Sequence, residues 1–195
     1  MINYPGSKKV YQRTTTSGVT SRRGMSLEED LNRTNEQYLI REIAVVHKKP
    51  TPIQIVNVDY PSRNKAKITE AYFRQASTTD YQGVWNSYAL DFEAKETRNK
   101  TVFPLAALHQ HQIDHLTAVH RQGAIAFLII RFSEYDETYL IFAKDLLPFI
   151  KDTTQRSIPY KWIKQHGHSV TASYQIPCNY IPVIAEVYQK GVSYE

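Results

Sequence analysis

A chain of 195 residues, 42% apolar and 22% charged, has the size and balance of one soluble globular domain, which excludes disordered and fibrous classes. The longest clean apolar run, residues 124–130, stops at Arg131, far below the roughly 18 residues of a membrane helix, and the single cysteine, Cys178, excludes a disulfide framework. The net charge of +5 is uneven: residues 1–25 hold five bases and no acid, and residues 46–74 hold six bases against two acids. Two basic patches on a balanced body suit a polyanionic partner, although a solubilising tail would also account for the first.

In chain order, residues 1–25 are rich in Ser, Thr, Gly, Lys and Arg without hydrophobic period, and read as a flexible basic arm containing Arg22 and Arg23. The lysines at its start are not followed by an apolar stretch, so it is not a secretory signal, and a cytoplasmic setting without membrane contact is expected. Ser26 with Glu29 forms a capping box, and an apolar stripe from Leu27 to Ile43 predicts a helix over 26–44. Pro50 and Pro52 end any continuation, and the β-branched run 53–58 predicts a strand. Residues 59–75 carry Arg63, Lys65, Lys67 and Arg74. They read as a basic excursion with a short amphipathic helix at Ile68, Ala71 and Tyr72, inserted in a single domain over 26–195.

A hairpin is predicted from 81–85 and 88–94 around Asn86-Ser87. A helix follows over 109–122, closed by Gly123. Two strands are expected at 124–132 and 138–142, the first apolar enough to be central, and helices near Pro159 and over 181–189. The whole is an α/β domain, a mixed central sheet flanked by helices on both sides.

Chemistry concentrates in Asp91-Phe92-Glu93-Ala94-Lys95. On a strand Asp91, Glu93 and Lys95 share one face, while Phe92 and Ala94 point into a core. Three charges on an inner strand are costly unless they meet metal, substrate or water. A solvated edge strand with cross-strand ion pairs would also satisfy the pattern. Asp80 precedes Glu93 on the neighbouring hairpin strand, so two carboxylates and an ammonium can converge, and two carboxylates with a neutral oxygen suffice for a hard divalent cation. Gln112 falls on the buried stripe of its helix with Leu108, Leu116 and Val119, where it is either a satisfied core amide or a further oxygen toward the acidic strand. Such a set supports metal-assisted phosphodiester hydrolysis, with Lys95 offsetting charge in the transition state. His111 and His115 stand at i and i+4, but His-Gln-Ile-Asp-His lacks the glutamate and third ligand of a zinc protease.

A carboxylate followed by Glu-x-Lys on a strand resembles the PD-(D/E)xK nucleases, a loose motif by itself. The surrounding segments are more specific: Arg-Gly-Met-Ser-Leu-Glu-Glu-Asp at 23–30, His-Lys-Lys-Pro-Thr-Pro-Ile-Gln-Ile-Val at 47–56, Gln-Ala-Ser-Thr-Thr-Asp-Tyr at 75–81 and Asp-Phe-Glu-Ala-Lys-Glu-Thr at 91–97. Together they resemble the RecU family of Holliday-junction resolvases from about residue 22 to 149, and more weakly to 188. Thr79 stands where the nuclease motif has proline, a departure this family shares.

The resemblance implies a restriction-endonuclease-like fold with a protruding stalk at about 59–75. It implies Mg²⁺, with Mn²⁺ as a substitute, held by Thr78, Asp80, Glu93 and Gln112, and Lys95 as the transition-state-stabilising lysine. Thr78 rests on the resemblance alone. The implied partners are four-way junction DNA, a second copy of the chain in a homodimer, and the recombinase RecA. Phe73 would stack among unpaired bases or anchor the stalk base, and the basic arm would grip duplex phosphates. A nuclease acting on duplex ends, and a non-catalytic DNA-bridging or recombinase-modulating protein, are the readings that compete with an endonuclease acting on junctions.

Overall fold

The computed structural model describes residues 26–62, 65–74 and 78–189; the expected arm over 1–25 lies outside the described residues. Helix α1 (Leu27–Ile40) starts at Ser26 with the expected capping box: Ser26 Oγ accepts from the Glu29 N–H, and Glu29 answers the Ser26 N–H. The Leu27 N–H donates to Glu96 Oε2 at 3.0 Å, so a carboxylate from the sheet satisfies another open donor at the helix start. The helix is shorter than expected. Glu42 adopts φ 56° and the Ile43 N–H turns back to the Tyr38 carbonyl. The chain then enters β1 (Val45–Lys48), a strand that the apolar stripe running on to Ile43 had concealed.

Next come β2 (Ile53–Asp59) and β3 (Lys67–Phe73), paired antiparallel in a sheet of their own. The short helix expected at 68–72 is therefore a strand, and the excursion is already under way at Ile53. Nearly every side chain along both strands is exposed. With almost no buried face to select a 3.6-residue period, backbone pairing decides the conformation.

The remaining strands are β4 (Tyr81–Trp85), β5 (Tyr88–Thr97), β6 (Val102–Pro104), β7 (Ile125–Phe132), β8 (Glu137–Phe142), β9 (Ser157–Pro159) and β10 (His168–Ser169). The remaining helices are α2 (Gln110–Arg121), α3 (Ala143–Asp152), α4 (Tyr160–His166) and α5 (Ile181–Tyr188). The central sheet has the order β1-β4-β5-β7-β8-β10; β5 and β7 run parallel across the α2 crossover, and the other pairs are antiparallel. Gly83 permits the close approach of β1 to β4, because a Cβ there would lie 2.3 Å from the Val45 carbonyl oxygen. Helix α3 was not foreseen: it begins directly at the end of β8 and holds Pro148 in its interior, so no turn residue announces it.

Every residue of β7 is buried, as its apolar run suggested, and the strand feeds two cores. Ile125, Phe127 and Ile129 pack with Phe92, Phe142, Leu31, Tyr38, Tyr180 and Ile184 on the α1/α5 side. Leu128, Ile130 and Phe132 pack with Phe103, Leu146, Ile158 and Ile163 on the other, where Ala126 also meets Leu116 of α2. Helices thus cover both faces. The exception in β7 is Arg131, whose Nη1 meets Asp30 Oδ2 of α1 at 2.6 Å while its Nε donates to Thr138 Oγ1 at 3.1 Å. Removing one member strands the other charge in a dry site. Asp30→Ala is expected to cost about 3–5 kcal/mol in urea unfolding, and adding Arg131→Met to recover a large part of it.

Candidate active site

The hairpin β4–β5 turns through Asn86 and Ser87, both with positive φ (44° and 66°), the conformation of a two-residue type I′ connection. That turn pairs Tyr81 with Phe92. Phe92 stacks on Tyr81 on one side (centroids 4.8 Å apart, planes 5° apart) and on Phe127 of β7 on the other (4.5 Å, 13°). With Phe92 sealed in the α1/α5 core, alternation aims Asp91, Glu93 and Lys95 to the opposite face, beneath α2.

Asp80, just before β4, comes beside Glu93: its backbone N–H donates to Glu93 Oε2 at 3.1 Å. Lys95 Nζ lies 2.7 Å from Glu93 Oε1. The three sequence-predicted groups Asp80, Glu93 and Lys95 are therefore together. Glu93 has no exposed surface, Asp80 is half-buried and the Lys95 ammonium reaches solvent. The Glu93 carboxyl is pushed up to about 7, chiefly by burial and further by Asp80 beside it, with the Lys95 ammonium acting against both. Glu93 Oε1 is sealed from solvent and meets the Lys95 ammonium only as an ion pair without good hydrogen-bond alignment.

Gln112 is buried (5% exposed) on the sheet side of α2, but its Oε1 accepts from the His109 N–H at 3.0 Å and so serves the start of its own helix. Thr78 Oγ1 donates to the Thr79 carbonyl at 3.3 Å. Among the described residues neither side chain is hydrogen-bonded to the carboxylate pair. Among the described residues no group of three or more His, Cys, Asp and Glu side chains is placed to hold a metal. The donor set that fits a hard cation is the two-carboxylate pair of Asp80 and the buried Glu93, the chemistry of hard oxygen ligands.

Sequence reasoning missed the surroundings of Asp91. Lys49 Nζ meets Asp91 Oδ2 at 2.9 Å and Thr79 Oγ1 at 2.9 Å; Thr79 Oγ1 donates to Asp91 Oδ1; His115 Nε2 lies 3.1 Å from Asp91 Oδ2. The only signal for a cation here was the requirement that a buried Asp91 be paired, since β1, which delivers Lys49, was not visible in the pattern.

Of the expected DNA-contacting residues, Lys65, Lys67, Phe73 and Arg74 lie exposed along the β2–β3 ribbon, and Arg22, Arg23 and Arg63 fall outside the described residues. Phe73 is 83% exposed and pairs with Ile53 at the end where the ribbon joins the domain, so it does not pack the stalk base. The Arg74 N–H closes that end on the Pro52 carbonyl, and its Nε donates to Gln54 Oε1.

The sequence profile of RecU, recombination protein U, matches residues 22–186. A Holliday junction resolvase RecU of Oceanobacillus iheyensis is 50% identical over 198 residues, spanning 96% of this chain and 100% of the relative. Another, of Geobacillus kaustophilus, is 56% identical over 169 residues, spanning 85% of this chain and 84% of its own. Among solved structures, Archaeoglobus fulgidus Hjc, a Holliday junction resolvase, aligns with 71% of this chain and 94% of its own, at 11% identity and a TM-score of 0.42. With relatives at this level of identity along nearly its full length, and the family profile matched over most of it, the chain belongs to the RecU family.

Proposed function

We propose that this chain is a Holliday junction resolvase, an endonuclease that uses a divalent cation to nick two strands of a four-way DNA junction symmetrically during recombination and repair. The observation that carries the reading is the convergence of Asp80, a fully buried Glu93 and Lys95 on one sheet face, in a chain half identical to resolvases. Asp80 and Glu93 would hold Mg²⁺, with Mn²⁺ as a substitute. Thr78 and Gln112 would add oxygens, Gln112 by releasing the His109 N–H. When bound, such a cation offsets the two carboxylate charges and polarises the scissile phosphate.

The chain's own groups do the rest. Glu93 Oε2, fixed by the Asp80 N–H, gives the pair a defined separation, and the cover of α2 and the sheet keeps water from Glu93. Lys95, half-buried and reaching solvent, places a positive charge where a phosphodiester would lie and offsets charge gained as the leaving oxygen departs. The exposed Lys65, Lys67 and Arg74 suit backbone phosphates, and Phe73 suits stacking on an unpaired base. A two-fold dimer would offer two equivalent sites to two strands of like polarity, as a four-way junction requires. Contact with the recombinase RecA, a cytoplasmic location and a phosphate-gripping role for residues 1–25 belong to the same reading. Among the described residues no helix is long and apolar enough to cross a membrane.

The first test is cleavage of a synthetic immobile four-way junction beside linear duplex, with Mg²⁺ and with EDTA. Paired symmetric nicks confined to the junction and abolished by EDTA are expected; binding without cutting would instead support a DNA-bridging protein. Asp80→Asn and Glu93→Gln are each expected to bind the junction but to lose nicking by at least about 10²-fold, and undiminished cleavage would overturn the site.

A second expectation follows from the raised Glu93 carboxyl. Its folded-state value of about 7 lies above the ordinary 4.5, so without metal the ionised form opposes folding. This group's contribution to stability falls as pH rises from 4.5 to about 7 and is level above that. In metal-free buffer Glu93→Gln should melt above the parent at pH 8, with the gap closing by pH 5; added Mg²⁺ should raise the parent at pH 8 and leave the variant unmoved.

The third concerns the ribbon. Because β2 and β3 pair only with each other among the described residues, trimming both evenly, with residues 58–68 replaced by a two-residue turn, should leave the melting temperature unchanged. Gel-shift titration should then show equal affinity for junction and linear duplex; a retained preference would remove the ribbon from junction selection.

A further inference from the structure

Asp91 and Glu93 stand two positions apart on one face of β5, in different surroundings. Glu93 meets the Asp80 N–H and the ammonium of Lys95 from its own strand, whereas Asp91 is met by the Lys49 ammonium, the Thr79 hydroxyl and the His115 ring. These partners come from three separate parts of the fold. Lys49 follows β1 immediately, at the point where the chain leaves for the ribbon; its backbone N–H donates to the Asp80 carbonyl at 2.7 Å while its ammonium donates to Thr79 and Asp91. Thr79 is the residue before Asp80. His115 lies on α2, one turn after Gln112.

We propose that Asp91 is a positioning residue for the nuclease centre, acting chiefly through Lys49: the pair clamps the Thr79–Asp80 segment from side chain and backbone together, while His115 ties α2 to the same carboxylate. The inference rests on the reading of Asp80 and Glu93 as the metal-holding pair and adds what holds Asp80 in place. Asp80 precedes β4, so the first cross-strand partners given by the sheet belong to Tyr81, and the Asp80 carbonyl is gripped by Lys49 instead. Asp91 and Lys49 are both nearly buried, and each answers the charge of the other. Loss of the clamp leaves the Asp80 carboxylate in its sequence place but free to drift, and a displacement near 1 Å at a reacting centre costs on the order of 10²-fold in rate.

The test uses the full chain with Asp91→Asn, Lys49→Met, the double variant, and Lys49→Arg. The double variant removes both charges, so neither is left unpaired and folding is protected. Binding of Mn²⁺ alone is measured from the electron paramagnetic resonance of the free ion, junction affinity in EDTA, and cleavage in single turnover. Each single variant is expected to weaken Mn²⁺ binding about tenfold and slow cleavage about ten- to a hundredfold, with junction affinity within about twofold. Lys49→Arg should restore most of both, and the double variant should be no worse than the more impaired single one. A purely structural pair would lower the melting temperature while the folded fraction bound Mn²⁺ and cut like the parent, and that result overturns the inference. Asp80→Asn run alongside separates the two levels. If it is inactive while the Asp91 and Lys49 variants match the parent, only the clamp fails; if it binds Mn²⁺ and cuts normally, the reading of the site fails with it.

Discussion

The face that Phe92 takes decides everything built around it. Its ring is held between Tyr81 and Phe127, so one aromatic stack ties together the register of β4, β5 and β7. Because strand side chains alternate, a slip of one residue in β5 would drive Asp91 and Glu93 into the apolar α1/α5 core and move Phe92 out of it to the face beneath α2. The cost of burying two carboxylates without partners there far exceeds that of any single lost contact. The hydrophobic core therefore aims the acidic residues, and the type I′ turn at Asn86-Ser87 supplies the matching alignment of Asp80.

On the face so defined, neighbouring carboxylates have divided their tasks. Asp91 receives donors from Lys49 and Thr79 and a ring nitrogen of His115, as a structural anion does. Glu93 is fully buried and, among the described residues, meets only the Asp80 N–H and the Lys95 ammonium, and its carboxyl is held well above its ordinary value by that burial. The difference is one of origin. Lys49 reaches Asp91 from the segment after β1, far away in sequence, whereas the cation that meets Glu93, Lys95, comes from the same strand.

Much of this was legible in the residues. Ser26 with Glu29, Gly123 at φ 88°, the turn at Asn86-Ser87 and the unbroken apolar run of β7 each carry a local cause that acts wherever the chain folds. The alternation of Asp91, Glu93 and Lys95 placed the acidic face correctly because a two-residue period has no freedom. The failures share a different cause. The β-branched run at 53–58 is the strand expected, but that it stands in a ribbon with exposed sides was not legible, because burial is a tertiary fact. The 68–72 spacing suggested a helix that pairing with β2 overrides. Lys49 and His115 meet Asp91 across 42 and 24 residues, and Gln112 spends its oxygen on the start of its own helix. Partnerships of that kind depend on the assembled fold.

The ribbon also bears on the protein's colloidal behaviour. Ile53, Ile55, Val56, Ile68, Tyr72 and Phe73 are exposed on two strands whose outer edges meet no other strand of the sheets described, a composition that invites edge-to-edge association between molecules. Lys65, Lys67 and Arg74 sit among them, so two ribbons brought edge to edge would set like charges against each other. The cations that suit a polyanion thus act as gatekeepers when none is bound. Exchanging them for neutral residues would remove a barrier to aggregation along with the positive charge of the ribbon.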